Sequence, residues 1–230
     1  KNILDKFGNV KWNEAIIELH KPENIGKFKK NFYQRLAFDE IFSTFLVNSE
    51  IRKKIKKIKK ERKFLDKTKQ NEIINKLEFT LTKDQKKTLE EINNDLYSTN
   101  KMFRLLQGDV GSGKTIVALI SAYNTINSGF QVAVMAPTEI LARQHYNFAK
   151  KIFPKHINIE LISGKSEYKT KKEILKKLAD NEIDIIFGTH AVFQKKVNFN
   201  NLGLIIIDEQ HKFGVNQRKR LSDKGGHNCD

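Results

Sequence analysis

The sequence predicts an α/β fold, a parallel sheet covered by helices on both faces and preceded by an α-helical segment. Three observations predict it. From Val132 onward, short β-branched runs (132–135, 157–162, 183–187, 204–207) alternate with amphipathic stretches (138–152, 167–178, and a short one from Ala191). Apolar runs of that kind, separated by helices, are strands buried on both faces, as in parallel sheets. Next, Gly108-Asp109-Val110-Gly111-Ser112-Gly113-Lys114-Thr115 reads G-x-x-x-x-G-K-T between an apolar run at 102–106 and a helical run at 116–122. Strand, glycine-rich loop and helix in that order form a phosphate-binding loop. Lastly, before residue 79 the apolar residues recur mainly at helical spacing.

Taken in order, Trp12, Ala15, Ile16 and Leu19 have helical spacing that Pro22 stops, and residues 1–25 read as a connector. Residues 26–78 read as a helical linker. Phe28, Phe32, Leu36, Phe38, Phe42, Phe45 and Leu46 crowd one broad face, which predicts burial between helices. From Glu50 to Lys63 the charge is densest. Ile51, Ile55 and Ile58 recur at i, i+4 and i+7, predicting one amphipathic basic helix. Its Lys53, Lys56, Lys57 and Lys60 are candidate phosphate contacts, or else a solvated face. Residues 66–71 read as a loose polar linker. Residues 79–230 form the α/β domain, whose first helix begins at a capping box, Thr82 with Gln85.

Residue chemistry narrows the function. Gly108, Gly111 and Gly113 let backbone N–H groups turn onto phosphate oxygens at the positive end of a helix. Lys114 would reach the β- and γ-phosphates, and the Thr115 hydroxyl would hold Mg²⁺. Asp208-Glu209-Gln210-His211 follows the most apolar strand. Beside a phosphate-binding loop, Asp208 would accept from a Mg²⁺-bound water and Glu209 would orient and deprotonate an attacking water. Gln210 and His211 then lie near enough to sense the γ-phosphate. Gln85 is either a structural half of its capping box or an adenine reader, and spacing leaves both open. Ala136-Pro137-Thr138-Glu139, Ser163-Gly164-Lys165 and Gly188-Thr189-His190 follow three other strands, at the sheet edge where ligands gather. Hydroxyls, glycines and helix starts along one rim suit a phosphodiester backbone, and ordinary caps look the same.

Composition sets outer bounds. Charged residues are 30% and hydrophobic ones 39%, the balance of a globular chain. No apolar run approaches the ~20 residues of a membrane span. The single Cys229 excludes an internal disulfide and a cysteine-rich zinc site, and leads us to expect a reducing, cytoplasmic setting. The net charge of +16 points to a polyanionic partner, nucleic acid before others. Lys1 in place of an initiator Met, and the turn-like end at 225–230, lead us to expect a piece of a longer protein.

Four stretches resemble superfamily 2 helicase motifs: Gly108 to Thr115, Ala136-Pro137-Thr138-Glu139-Ile140-Leu141-Ala142-Arg143-Gln144-His145, Gly188-Thr189-His190-Ala191, and Asp208-Glu209-Gln210-His211-Lys212-Phe213-Gly214-Val215. In wording they are similar to the RecG family of bacterial ATP-dependent branch-migration helicases. Leu19-His20-Lys21-Pro22 and Arg35-Leu36-Ala37-Phe38-Asp39-Glu40 resemble the helical stretch ahead of that family's motor. Glu139 and the run at 208–211 favour this family over the transcription-repair coupling factors. Lys212 stands where the family commonly has Arg.

The resemblance implies a RecA-like first motor lobe using ATP and Mg²⁺. ATP contacts would come from residues 108–115, Gln85, Asp208 and Glu209, and the DNA side from Pro137, Thr138, Gly164, Thr189 and His190. It implies forked or branched duplex DNA as partner, with a wedge domain before Lys1 and a second motor lobe bearing arginine fingers after Asp230. A module that clamps DNA under ATP control without turnover is the reading from a different class.

Overall fold

The structure, a computed structural model, describes residues 10–20, 30–162, 168–194, 196–209, 226 and 228–230. The chain divides into two compact units, Lys1–Lys54 and Ile55–Asp230. In the first, α1 spans Trp12–His20, with Ala15 buried, and α2 starts at Lys30 and runs to Lys56. Arg35 and Asp39 pair one turn apart on α2 at 2.9 Å, and Phe38 stacks on Phe42 with ring centroids 5.6 Å apart. The aromatic face expected to be buried is only partly so among the described residues: Phe32, Leu36 and Phe38 are half-buried, while Phe42 is 46% exposed and Phe45 69%. Periodicity shows that a face is apolar, not that its cover lies within the chain.

The basic run is not one helix. α2 ends at Lys56, and residues 58–63 turn back to lie antiparallel to 96–101. Lys60 N–H donates to Thr99 O, Lys63 N–H to Leu96 O, and Lys101 N–H to Ile58 O. The Lys60 and Lys63 side chains turn inward and share Asp230 Oδ2 at 2.6 and 2.8 Å, all three fully or almost fully buried. Lys60 therefore cannot be a phosphate contact. The expected loose linker is also ordered: Asp66 caps α3 (Lys67–Asn75) by accepting from the Thr68 and Lys69 N–H groups.

In the second unit α4 spans Lys83–Tyr97, α5 Lys114–Asn127, α6 Glu139–Ile152 and α7 Tyr168–Ala179. The strands β1 (Gln131–Met135), β2 (Ile159–Ile162), β3 (Ile185–Gly188) and β4 (Leu202–Ile207) form one parallel sheet in the order β2-β3-β1-β4. Val132 and Val134 face a core with α3, α4, α5 and α6, while Ala133 and Met135 face a second with α7. Alternation within one strand thus fills both faces of a covered sheet. The register along β1 and β4 passes from Gln131↔Leu202 to Val132↔Leu204. Skipping Gly203 puts Leu202 and Ile205 on the same side.

Buried amides align these layers. Gln131 Nε2 donates to Leu178 O and Ile183 O, and its Oε1 accepts from the Asn200 and Asn201 N–H groups, which uses the full capacity of the amide. Gln70, Asn93 and Asn124 do the same for three helices. The Asn93 and Asn124 amides both donate to Gln70 Oε1, and Asn124 donates also to Asn93 Oδ1. α5 is buried along most of its length, which its all-round apolar sequence requires.

One expected strand is missing among the described residues. Residues 102–106 have no regular secondary structure and no sheet pairing. The outer edge of β4 is taken by Asp230, which accepts from Ile205 N–H at 2.8 Å and donates to Gly203 O at 3.0 Å. The Met102 N–H turns to the Asp230 carboxylate at 2.6 Å, leaving Phe103 and Leu105 exposed.

Candidate functional site

Residues 108–113 follow that stretch and deliver the chain into α5 at Lys114. Gly113, the N-cap, has φ +78, and a Cβ there would lie 2.3 Å from Gln85 Nε2. Gly111 has φ +82. Both angles belong to the left-handed region that glycine enters without steric cost. Lys114 folds back so that Nζ donates to Gly108 O at 2.7 Å and Asp109 O at 2.8 Å. Val110 at the tip is fully exposed, and Thr115 sits in the first turn of α5. The loop has the glycine geometry of a phosphate cradle, with its cation held on its own carbonyls.

Gln85 does two things at once. Its Oε1 accepts from Thr82 N–H while its backbone N–H donates to Thr82 Oγ1, completing the capping box. Its Nε2 donates to Ser112 O at 2.9 Å. The start of α4 is thereby tied to the glycine loop at 108–113.

Asp208 follows β4 directly, with its N–H bonded to Met135 O at 2.8 Å. His145 Nε2 lies 2.8 Å from Asp208 Oδ2, the pair being 14% and 31% exposed. That hydrogen bond holds the Asp208 carboxyl below the usual carboxylate range against the opposing effect of burial, with help from His145, the Glu209 N–H and the nearby Lys114 charge. Glu209 takes φ +49, a strained angle for a non-glycine residue that costs on the order of 1 kcal/mol. Gln210, His211 and Gly164 lie outside the described residues.

No group of three or more His, Cys, Asp or Glu able to hold a metal occurs among the described residues. Mg²⁺ does not require one, since it is usually held by one or two carboxylates plus substrate phosphates and water. A glycine loop and the Asp208 carboxylate, with Glu209 beside it in sequence, fit that mode.

A second feature opens at the ends of β1 and β3. Pro137, Thr138, Thr189 and His190 line one cleft of about 380 Å³, together with Lys171 from α7 and Gln194. Thr138 caps α6, its Oγ1 accepting from Leu141 N–H at 3.3 Å. Thr189 is buried and His190 exposed. Sequence reasoning grouped the first four but missed Lys171, which carries no motif. It also missed His145, although the signal was present: His145 falls three residues after Ala142 and four before Ala149, on the buried stripe of α6. A polar residue on such a stripe needs a partner.

The described residues contain no helix long and apolar enough to cross a membrane. The family profile described as DEAD/DEAH box helicase matches residues 82–227, more than half of the chain. The chain belongs to the DEAD/DEAH box helicase family. Within this helicase family, it is 44% identical over 234 residues to the ATP-dependent DNA helicase RecG of Aquifex aeolicus, covering 97% of this chain and 29% of that protein. It is 51% identical over 153 residues to RecG of Bacillus subtilis, covering 66% of this chain and 22% of that protein. A solved structure of RecG bound to a three-way DNA junction superposes with TM-score 0.72 at 40% identity, covering 87% of this chain and 28% of that one. The chain thus spans less than a third of the length of these helicases, and its sheet is the RecA-like helicase fold.

Proposed function

We propose that the chain is the first motor lobe of a RecG-type ATP-dependent DNA helicase, with the helical segment that precedes it. The parent protein would remodel stalled forks and Holliday junctions in DNA repair and recombination. Residues 1–25 are read as a connector, 26–78 as a helical linker and 79–230 as the lobe. From Ile55 on, that linker belongs to the same compact unit as the lobe. The observation that carries the reading is the loop itself, whose Gly111 and Gly113 take φ +82 and +78 and which sets Lys114 at the start of α5. Asp208 follows β4 in the same compact unit, and its carboxyl is held below the usual range first by the hydrogen bond from His145 and least by the charge of Lys114.

In this reading Gly108, Asp109, Val110, Gly111, Ser112 and Gly113 wrap the phosphates. Lys114 leaves Gly108 O and Asp109 O for the β- and γ-phosphates. Thr115 and Asp208 hold Mg²⁺, which would neutralise charge developing on the transferred phosphoryl group. Glu209 orients and deprotonates the water, Gln210 and His211 respond to the γ-phosphate, and Gln85 contacts adenine through the amide now on Ser112 O. Pro137, Thr138, Gly164, Thr189 and His190 face DNA, for which the junction-bound RecG relative and the net charge of +16 both argue.

The chain should bind Mg-ATP weakly and hardly hydrolyse it. Arginine fingers are worth ~10³–10⁵ in rate in related enzymes, and in this family they come from the second lobe. DNA-stimulated ATP turnover of residues 1–230, measured against a longer chain that includes the downstream lobe, tests this. Comparable rates in the two would overturn the reading of this chain as half a motor.

A further inference from the structure

The contact between His145 and Asp208 joins two regions that the proposed function treats separately. α6 is a continuous helix whose N-cap, Thr138, lines the cleft at the ends of β1 and β3. His145, seven residues on and so ~10 Å along the helix axis, reaches the carboxylate at the end of β4. The main chain of Asp208 is itself held to Met135 of β1, two residues before Pro137. The carboxylate is therefore set from both sides, by strand pairing beneath it and by an imidazole on α6. The contact is partly withdrawn from water, which makes such a hydrogen bond stronger than a fully exposed one.

We propose that His145 is a positioning residue that orients the Asp208 carboxylate for the divalent cation and couples it to α6, whose capped start lies in the Thr138 cleft. This rests on the reading of Asp208 as the Mg²⁺ carboxylate. With Oδ2 engaged by His145, the carboxylate enters metal binding already limited to one orientation. Partners of ligating carboxylates act in this way, and losing them typically costs 10–100-fold in metal affinity. A displacement of α6 from the cleft side moves the imidazole, so it changes how well Asp208 is held.

The test is Mn²⁺ binding to the full 230-residue chain in the presence of ADP, followed by electron paramagnetic resonance. His145→Phe keeps a ring and removes the polar partner. It should weaken Mn²⁺ binding by ~10–100-fold while leaving metal-free ADP affinity unchanged. His145→Gln, which retains an amide donor, should recover most of the loss. A role in packing alone predicts the reverse, with Phe tolerated and Gln no better. Either Mn²⁺ affinity unchanged in His145→Phe or no recovery in His145→Gln overturns the proposal.

Asp208→Asn separates the two layers. If it leaves Mn²⁺ affinity intact, the metal reading of Asp208 falls and the role of His145 falls with it. If Asp208→Asn removes binding while His145→Phe does not, only the positioning role fails. Nitrogen-15 histidine spectra of the wild-type chain give a readout without substitution. Mg²⁺ with ADP should shift the Nε2 resonance of His145 where ADP alone does not, and equal spectra would overturn the proposal.

Discussion

Two lysines of the second unit set their ammonium groups on pairs of backbone carbonyls. Lys114 holds Gly108 O and Asp109 O at 2.7 and 2.8 Å, and Lys60 holds Asp95 O and Leu96 O at 3.1 and 3.0 Å. Beyond that they differ. The Lys60 side chain is fully buried, and Asp230 completes its shell at 2.6 Å. The two carbonyls belong to the last turn of α4, where a cation also suits the helix dipole. Lys114 is partly exposed, and no carboxylate pairs with it within salt-bridge distance among the described ion pairs. An ammonium satisfied only by carbonyls of its own glycine loop exchanges them for phosphate oxygens at little cost. One held by a buried carboxylate does not. The same side chain is a structural clamp in one place and a candidate ligand-binding group in the other, and the carboxylate and burial decide which.

The sharpest way to break this comparison is to remove one partner from each side. Asp230→Asn leaves two ammonium groups buried with no carboxylate, which should lower unfolding free energy by about 3–5 kcal/mol in urea titrations. Lys114→Ala should change it by no more than about 0.5 kcal/mol, yet abolish ATP hydrolysis in the two-lobed protein proposed above. Near-wild-type turnover in Lys114→Ala would remove the phosphate-binding role, and an undiminished urea midpoint in Asp230→Asn would remove the clamp.

Glu209 sharpens the exchangeable side. Glu209→Gln keeps the shape and removes the proposed base, so the two-lobed protein proposed above should bind ATP normally and turn it over ~10²–10⁴-fold more slowly. Loss of ATP binding instead, in equilibrium titration, would assign Glu209 to the metal.

These expectations also mark how much the sequence disclosed. The parallel sheet was legible because β-branched runs at 132–135 and 204–207 are too continuous to be half-exposed strands. The loop at 108–115 was legible because its glycines, lysine and threonine come in a fixed spacing. Lys60 was misread for a physical reason: in a run with Lys53, Lys54, Lys56, Lys57 and Lys59, nothing local marks the one whose carboxylate lies 170 residues away. The aromatic face of α2 was read as buried because periodicity does not say where the cover comes from. The contact between His145 and Asp208, 63 residues apart, was available only as a histidine on a buried helical stripe.

Titration gives a smaller test of the clamp. Burial lowers the Lys60 pKa from the ordinary 10.5, with the Asp230 hydrogen bond and charge opposing it. Between the lowered folded value and 10.5 the unfolded chain binds more protons, so this group's contribution to stability rises with pH there. Below both values it is a constant cost. Wild-type stability should therefore gain on that of Lys60→Met as pH climbs towards 10.5, measured by urea unfolding across the alkaline range. A difference that stays flat would mean that Lys60 is as well solvated in the fold as out of it.

The smallest effect concerns the lysines that remain outside. Lys54 and Lys57 are exposed, whereas Lys53 is paired with Glu50 at 3.3 Å and Lys59 reaches Asn100 at 2.9 Å. If the basic run touches a DNA backbone, Lys54, Lys57 and Lys59 are exposed members with charge to offer, since an amide does not neutralise an ammonium; the side chain of Lys56 lies outside the described residues. Each phosphate contact releases condensed counterions, so losing one should reduce the slope of log K against log salt by about 0.9 on duplex DNA. Lys54→Gln and Lys57→Gln should each flatten the slope by that amount, additively, with no change in urea midpoint. Lys60→Met should leave the slope alone, because a buried ammonium on a carboxylate carries no exchangeable counterion. A slope that follows Lys60 and ignores Lys54 and Lys57 would invert the division between clamp and contact. A slope that ignores all three would leave the basic run as a solvated surface, with DNA held elsewhere on the lobe.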